Sequence, residues 1–151
     1  MGHVGMRVAV ISLKRTPKRY EEFLQRNQQA LRNSELLRID GVDGMELLSS
    51  NTKSKLITPS AHQVWSAGSI GIGLSHLLCW RLCCNTKSPL VVLEDDVVLA
   101  DEWETKIKEP INKDVGMLLL GWNLNSMLRA EFSAQQEMIS FFEPAYPSEK
   151  P

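Results

Sequence analysis

Glu94-Asp95-Asp96 places three carboxylates in a row directly after the apolar run Leu90-Val91-Val92-Leu93, and Val97-Val98-Leu99 is apolar again. Adjacent acids repel one another and resist burial, so the cluster needs a cation or a set of hydrogen-bond donors. Side chains alternate along a strand, which predicts Glu94 and Asp96 on one side and Asp95 on the other. Two carboxylates at different depths suit a hard divalent ion, Mg²⁺ or Mn²⁺, whose remaining shell comes from water and a diphosphate. A solvated acidic turn, or a helix start lined with acids, is the plainer reading of the same residues.

Lys14, Arg15 and Arg19 follow another apolar run and open a helix. Guanidinium groups beside a helix N-terminus make a diphosphate or nucleotide corner, though basic residues at surface turns are common. In Asp40-Gly41-Val42-Asp43-Gly44, Asp40 ends a strand and can accept from ribose hydroxyls or a base N–H, while Asp43 reads as turn chemistry. Ser75-His76 offers a hydroxyl and an imidazole near the start of an apolar helix, with Gly71 and Gly73 allowing close backbone approach. His76, Cys79 and Cys83 share a helical face and have zinc-ligand chemistry, but no second ligand pair accompanies them. Leu and Trp surround the thiols, which therefore read as buried core cysteines.

These residues need elements to hold them. Arg7–Leu13 is short, β-branched and almost continuously apolar, as a central parallel strand is. Thr16 suits an N-cap and Pro17 the first helical position. Tyr20, Phe23, Leu24, Asn27 and Leu31 then recur at helical spacing, predicting a helix over 17–32. Leu36–Ile39 is a second strand, completing a βαβ unit. Residues 45–68 read as an irregular loop with at most one helical turn. Gly71–Cys84 reads as a largely buried helix, 90–94 as a strand, and Asp101 as the cap of a helix carrying Trp103, Ile107 and Ile111. Gly116–Gly121 reads as another buried strand, and 123–151 as an irregular tail. Strands alternating with helices give α/β with a mostly parallel sheet, and the polar clusters gather at its carboxyl edge.

With 151 residues, 43% hydrophobic and 23% charged, the chain suits one globular domain. A net charge of -1 argues against nucleic acid as a partner. Three clustered cysteines and no leader-like start read as reduced thiols in a cytoplasmic protein. No apolar run approaches the roughly 20 residues that span a bilayer, so a membrane role would be peripheral.

The pattern resembles glycosyltransferase family 25, which includes lipopolysaccharide galactosyltransferases and relatives of collagen galactosyltransferases. The resemblance rests on Val10–Arg15 with Pro17 and Arg19, Ile39–Gly44, Gly71–His76 with Trp80, Leu93–Val97, and Leu118–Gly121. These pieces stand in family order over about residues 7–122. Lys14 departs from the acid or neutral polar residue often found there. The resemblance implies a GT-A-like (Rossmann-like) fold, incomplete at the carboxyl end, and a UDP-sugar donor, typically UDP-galactose, with Mn²⁺. It places Asp96 as direct metal ligand and Glu94 towards metal or ribose, with Asp95 serving either. It puts Lys14, Arg15 and Asp40 on the nucleotide side, and Ser75 and His76 on the helix bordering the donor. It assigns no catalytic base. The partners it implies are a nucleotide sugar and a glycan acceptor such as lipopolysaccharide. Because such enzymes continue further, a non-catalytic nucleotide- or partner-binding module is the alternative. Self-association would then cover the exposed edge. A metal-dependent phosphohydrolase ranks last, lacking a second His/Asp cluster.

Overall fold

The computed structural model describes residues 5–50, 57–86, 88–111, 127–130 and 142–145. The chain divides into two compact units, Met1–Glu109 and Pro110–Pro151.

The first unit is α/β. Strand β1 (Arg7–Ser12) lies between β2 (Glu35–Asp40) and β3 (Val91–Glu94), and all pairings are parallel. Helix α1 (Pro17–Asn27) joins β1 to β2. Helices α2 (Gly44–Ser49), α3 (Pro59–Val64) and α4 (Ala67–Thr86) cross back from β2 to β3, and α5 (Trp103–Ile111) follows. The order β2-β1-β3 means the sheet grows first to one side of β1 and then to the other. Right-handed crossovers therefore put α1 and α4 on opposite faces.

The side chains agree. Ala9, Ile11 and Cys79 of α4 form a core cluster, joined by Ile39, Leu90 and Val92. On the other face, Arg38 lies over the Tyr20 ring of α1 at 4.8 Å, and Arg38 is in register with Val10. Val8, Val10 and Ser12 share that face by alternation, and all three are buried. Phe23 of α1 is fully buried, worth about 2 kcal/mol of apolar transfer.

Several expectations are corrected. The helix predicted to 32 ends at Asn27, and the chain turns through 28–34 before β2. Thr16 holds the N-cap position but makes no capping hydrogen bond. Its hydroxyl turns back to the Leu13 carbonyl at 3.5 Å. The region read as irregular holds α2, α3 and the start of α4, with Asp43 capping α2 by accepting from Met45 N at 3.0 Å. Asp101 is not the residue leading α5. Glu102, left-handed at φ 57, does so, and its carbonyl takes the Thr105 and Lys106 N–H groups.

Helix α4 is not largely buried. A 20-residue helix is about 30 Å long, and only its Ile70, Gly71, Ser75 and Cys79 stripe is buried, while Ile72, Leu78 and Trp80 are exposed. With mean hydropathy 1.2 it is long and apolar enough, by length and composition alone, to cross a membrane, contrary to the sequence expectation. In this fold it flanks the sheet. Cys79 is buried, but Cys84 is exposed.

In the second unit, β4 (Met127–Ala130) pairs antiparallel with β5 (Phe142–Ala145), so part of the tail read as irregular is ordered. The strand expected at 116–121 lies outside the described residues.

Candidate functional site

A cleft of about 200 Å³ opens at the carboxyl ends of β1 and β3, where the strand order reverses. Four segments build it: the end of β1 with the loop and first turn of α1, the β2–α2 loop, the start of α4, and the acidic turn after β3.

The facing of the acids keeps strand alternation for Glu94 and Asp95 and then breaks. Glu94 is in register with Ile11, on the α4 face, and its Oε1 lies 3.4 Å from His76 Nε2. Asp95 faces α1, is 6% exposed, and pairs with Arg19 Nη2 at 2.7 Å. The strand stops at Glu94, where Val97 N donates to the Glu94 carbonyl at 3.2 Å. Asp96 therefore does not rejoin Glu94 as alternation predicts. It meets the same Arg19 Nη2 at 3.3 Å.

One face of α1 holds this turn. Arg26 donates to the Asp95 carbonyl at 3.2 Å. Buried Asn27 donates to the Phe23 and Val97 carbonyls, both at 3.0 Å, and accepts from Leu99 N at 2.8 Å. Arg19, Phe23, Arg26 and Asn27 follow the i, i+4, i+7, i+8 spacing of one helical stripe. The first turn of α1 carries no acid. A guanidinium at the positive end of a helix is locally unfavourable, and Asp95 and Asp96 offset it.

The opposite wall is held by backbone. Ser75 donates to the Gly71 carbonyl at 2.7 Å and accepts from Val42 N at 2.8 Å, which ties the β2–α2 loop to α4. A Cβ on Gly71 would fall 2.5 Å from the Val42 carbonyl oxygen and 2.8 Å from Gly44 N, and one on Gly44 would overlap the Ala67 carbonyl. Both glycines are there for close approach, and neither has positive φ. Asp43 caps α2 through Oδ1, while its Oδ2 accepts from Arg15 Nε. Burial pushes the Asp43 carboxyl up, but Arg15 and the Met45 and Glu46 N–H groups outweigh it and hold it below its ordinary range.

Of the residues singled out from sequence, Arg15, Arg19, Ser75, Glu94, Asp95 and Asp96 line the cleft. Lys14 and Asp40 are not part of its lining and pair with each other at 3.1 Å on the surface, a contact of small energetic weight. His76 reaches it only through Glu94. Ser75 lines it, but its hydroxyl is committed to structure. Asp43 belongs to the cleft, although sequence favoured a turn role, and it performs both. The family model for glycosyltransferase family 25 (LPS biosynthesis protein) matches residues 6–150.

The chain belongs to glycosyltransferase family 25.

No curated protein and no solved structure gives a significant match. Sequence reasoning missed Ser12, Arg26 and Asn27 in this family 25 chain. The i, i+4, i+7, i+8 spacing of Arg19, Phe23, Arg26 and Asn27 is the signal in the sequence that could have found the stripe. That it faces the acidic turn depends on the sheet order, which spacing alone does not specify.

Proposed function

We propose that this chain transfers a hexose, with galactose the first candidate, from a UDP-sugar to a hydroxyl of a glycan acceptor such as lipopolysaccharide. The reading assumes a GT-A-type fold and a divalent ion, Mn²⁺ or Mg²⁺. One observation carries it: the sorting of charge in the cleft. Arg15 and Arg19 are braced by Asp43 and Asp95, whose side chains are 14% and 7% exposed. Glu94 and Asp96 have only longer contacts, at 3.4 and 3.3 Å, and are 39% and 65% exposed. Oriented guanidinium donors thus stand beside two open carboxylates, which is what a diphosphate with a hard cation requires.

Among the described residues no three His, Cys, Asp or Glu side chains gather at one point. A preformed cage is not required, because Mg²⁺-like ions sit on one or two carboxylates plus substrate phosphates. Glu94 and Asp96 would hold the ion. When bound, it supplies charge neutralisation at the leaving diphosphate, worth several kcal/mol. The chain's own residues bind and orient. Arg15 and Arg19 present donors to the phosphate oxygens, His76 steadies Glu94, and the Gly44–Gly71 contact fixes the wall opposite. A cytoplasmic location, suggested by three free cysteines, belongs to the same proposal.

UDP release from a panel of UDP-sugars tests it. We expect Mn²⁺-stimulated release with UDP-galactose, abolished by EDTA and reduced at least about a hundredfold in Asp96→Asn. Absence of turnover with every nucleotide sugar and acceptor glycan would sink the proposal.

A further inference from the structure

Ser12 ends the central strand, is 2% exposed, and lines the cleft. Among the described residues its Oγ is the one buried side-chain polar atom without a hydrogen-bond partner. Ser75 makes the contrast. It is equally buried at 1% and lines the same cleft, yet its hydroxyl both donates and accepts. An unpaired buried hydroxyl is costly, and alanine at the end of this apolar strand would avoid the cost.

Register locates the orphan. Val10 is opposite Arg38 on β2 and Leu93 on β3, and Arg38 reaches Tyr20 of α1. Ser12, two residues on, faces the same side, as does Asp95, two residues after Leu93. Arg19, at the start of α1, stands over that side. Its contacts with Asp95 and Asp96 both run through Nη2, and among the described residues its Nη1 and Nε donors have no hydrogen-bond partner. A hydroxyl and a guanidinium with spare N–H groups therefore border one corner of the cleft. Converging donors of this kind favour an anionic oxygen over a neutral group.

We propose that Ser12 Oγ is a ligand contact that, together with Arg19, donates to a phosphate oxygen of the diphosphate seated in the cleft. This rests on reading the cleft as a nucleotide-sugar donor site.

Calorimetric titration of the full chain and of Ser12→Ala and Ser12→Cys tests it, with Mn²⁺–UDP, Mn²⁺–pyrophosphate and uridine as probes. Cys keeps the side-chain shape at a somewhat larger size and weakens the donor, whereas Ala removes both, so an equal loss in the two variants marks hydrogen bonding and not packing. We expect both variants to bind Mn²⁺–UDP and Mn²⁺–pyrophosphate about tenfold more weakly, with uridine binding unchanged. The thermal midpoint of Ser12→Ala should be unchanged or raised, because its hydroxyl has no partner to lose. Wild-type affinity for Mn²⁺–UDP in both variants would overturn the Ser12 contact while leaving the donor-site reading intact. A loss on uridine with pyrophosphate unaffected would overturn the phosphate assignment. So would a lowered midpoint without a change in binding. If the wild-type chain binds neither Mn²⁺–UDP nor Mn²⁺–pyrophosphate, this inference and the donor-site reading fall together.

Discussion

The two walls of the cleft are built on different physics. On the α1 side, Arg19, Arg26 and Asn27 hold the acidic turn through side chains, with donor–acceptor distances from 2.7 to 3.3 Å. On the α4 side, the β2–α2 loop lies directly on helix backbone at Gly44 and Gly71, with Ser75 as a stitch. Charge pairs on half-exposed side chains can exchange partners when a charged ligand arrives. Backbone packed against backbone can only shift as a body. The electrostatic wall is therefore the one suited to respond to ligand, and the glycine wall is its fixed reference.

The largest expected effect comes from breaking the fixed wall. Gly44→Ala should destabilise the protein by about 3 kcal/mol, because the added Cβ meets the Ala67 carbonyl, backbone that no rotamer change can clear. Gly71→Ala should cost a similar amount. Gly73→Ala is the control: its nearest atom is a Trp65 ring carbon at 3.9 Å, and alanine there should be neutral or slightly stabilising in the helix. Urea midpoints of the three variants check this. Equal midpoints would mean that the α2–α4 approach is looser than the structure has it.

A smaller effect is expected from the responsive wall. Arg19→Ala strands Asp95, which is 6% exposed. Removing one partner of a fully buried pair costs several kcal/mol, but Arg19 is 47% exposed, which reduces the expected loss to about 1–2 kcal/mol. Combined with Asp95→Asn, the double-mutant cycle should give a coupling near 1 kcal/mol. A coupling of zero would show that the turn is held by Arg26 and Asn27 alone.

The same contrast explains what could be read from sequence. Apolar runs such as Arg7–Ser12 and Val91–Glu94 announce parallel strands, and the acids after β3 announce a site, because burial and charge are local properties of the chain. Glu94 and Asp95 fell on opposite faces as alternation required. Asp96 did not follow, since the strand ends at Glu94 and the turn hands Asp96 to Arg19. Lys14 and Asp40 have the right chemistry and sit at strand ends, yet they pair on the surface outside the cleft lining. Helix α4 is apolar yet mostly uncovered, because composition sets how apolar a helix is, whereas its neighbours set how much of it is buried. The glycine contact was legible only as a loose Gly-x-Gly and an Asp-Gly pair. Its meaning required knowing that residues 44 and 71 meet.

The smallest effect joins the two walls through Asp43, whose carboxylate braces Arg15 and caps α2 at once. Its carboxyl is held below the ordinary value of 3.8 by Arg15 and the helix N–H groups, despite the opposing push of burial. A group whose folded value is depressed adds stability at pH above its unfolded value and loses that contribution as pH falls through the folded one. The contribution of this carboxyl to wild-type stability should therefore be lost as pH falls below about 4. Asp43→Asn retains a side-chain oxygen for the cap but gives up the charge facing Arg15. Its stability should be lower than wild type at neutral pH, with the difference shrinking towards pH 2 as the wild-type carboxyl protonates. Urea midpoints from pH 7 down to pH 2 would show this as two converging curves. Parallel curves would mean that Asp43 acts through its cap alone and that Arg15 is not braced by its charge.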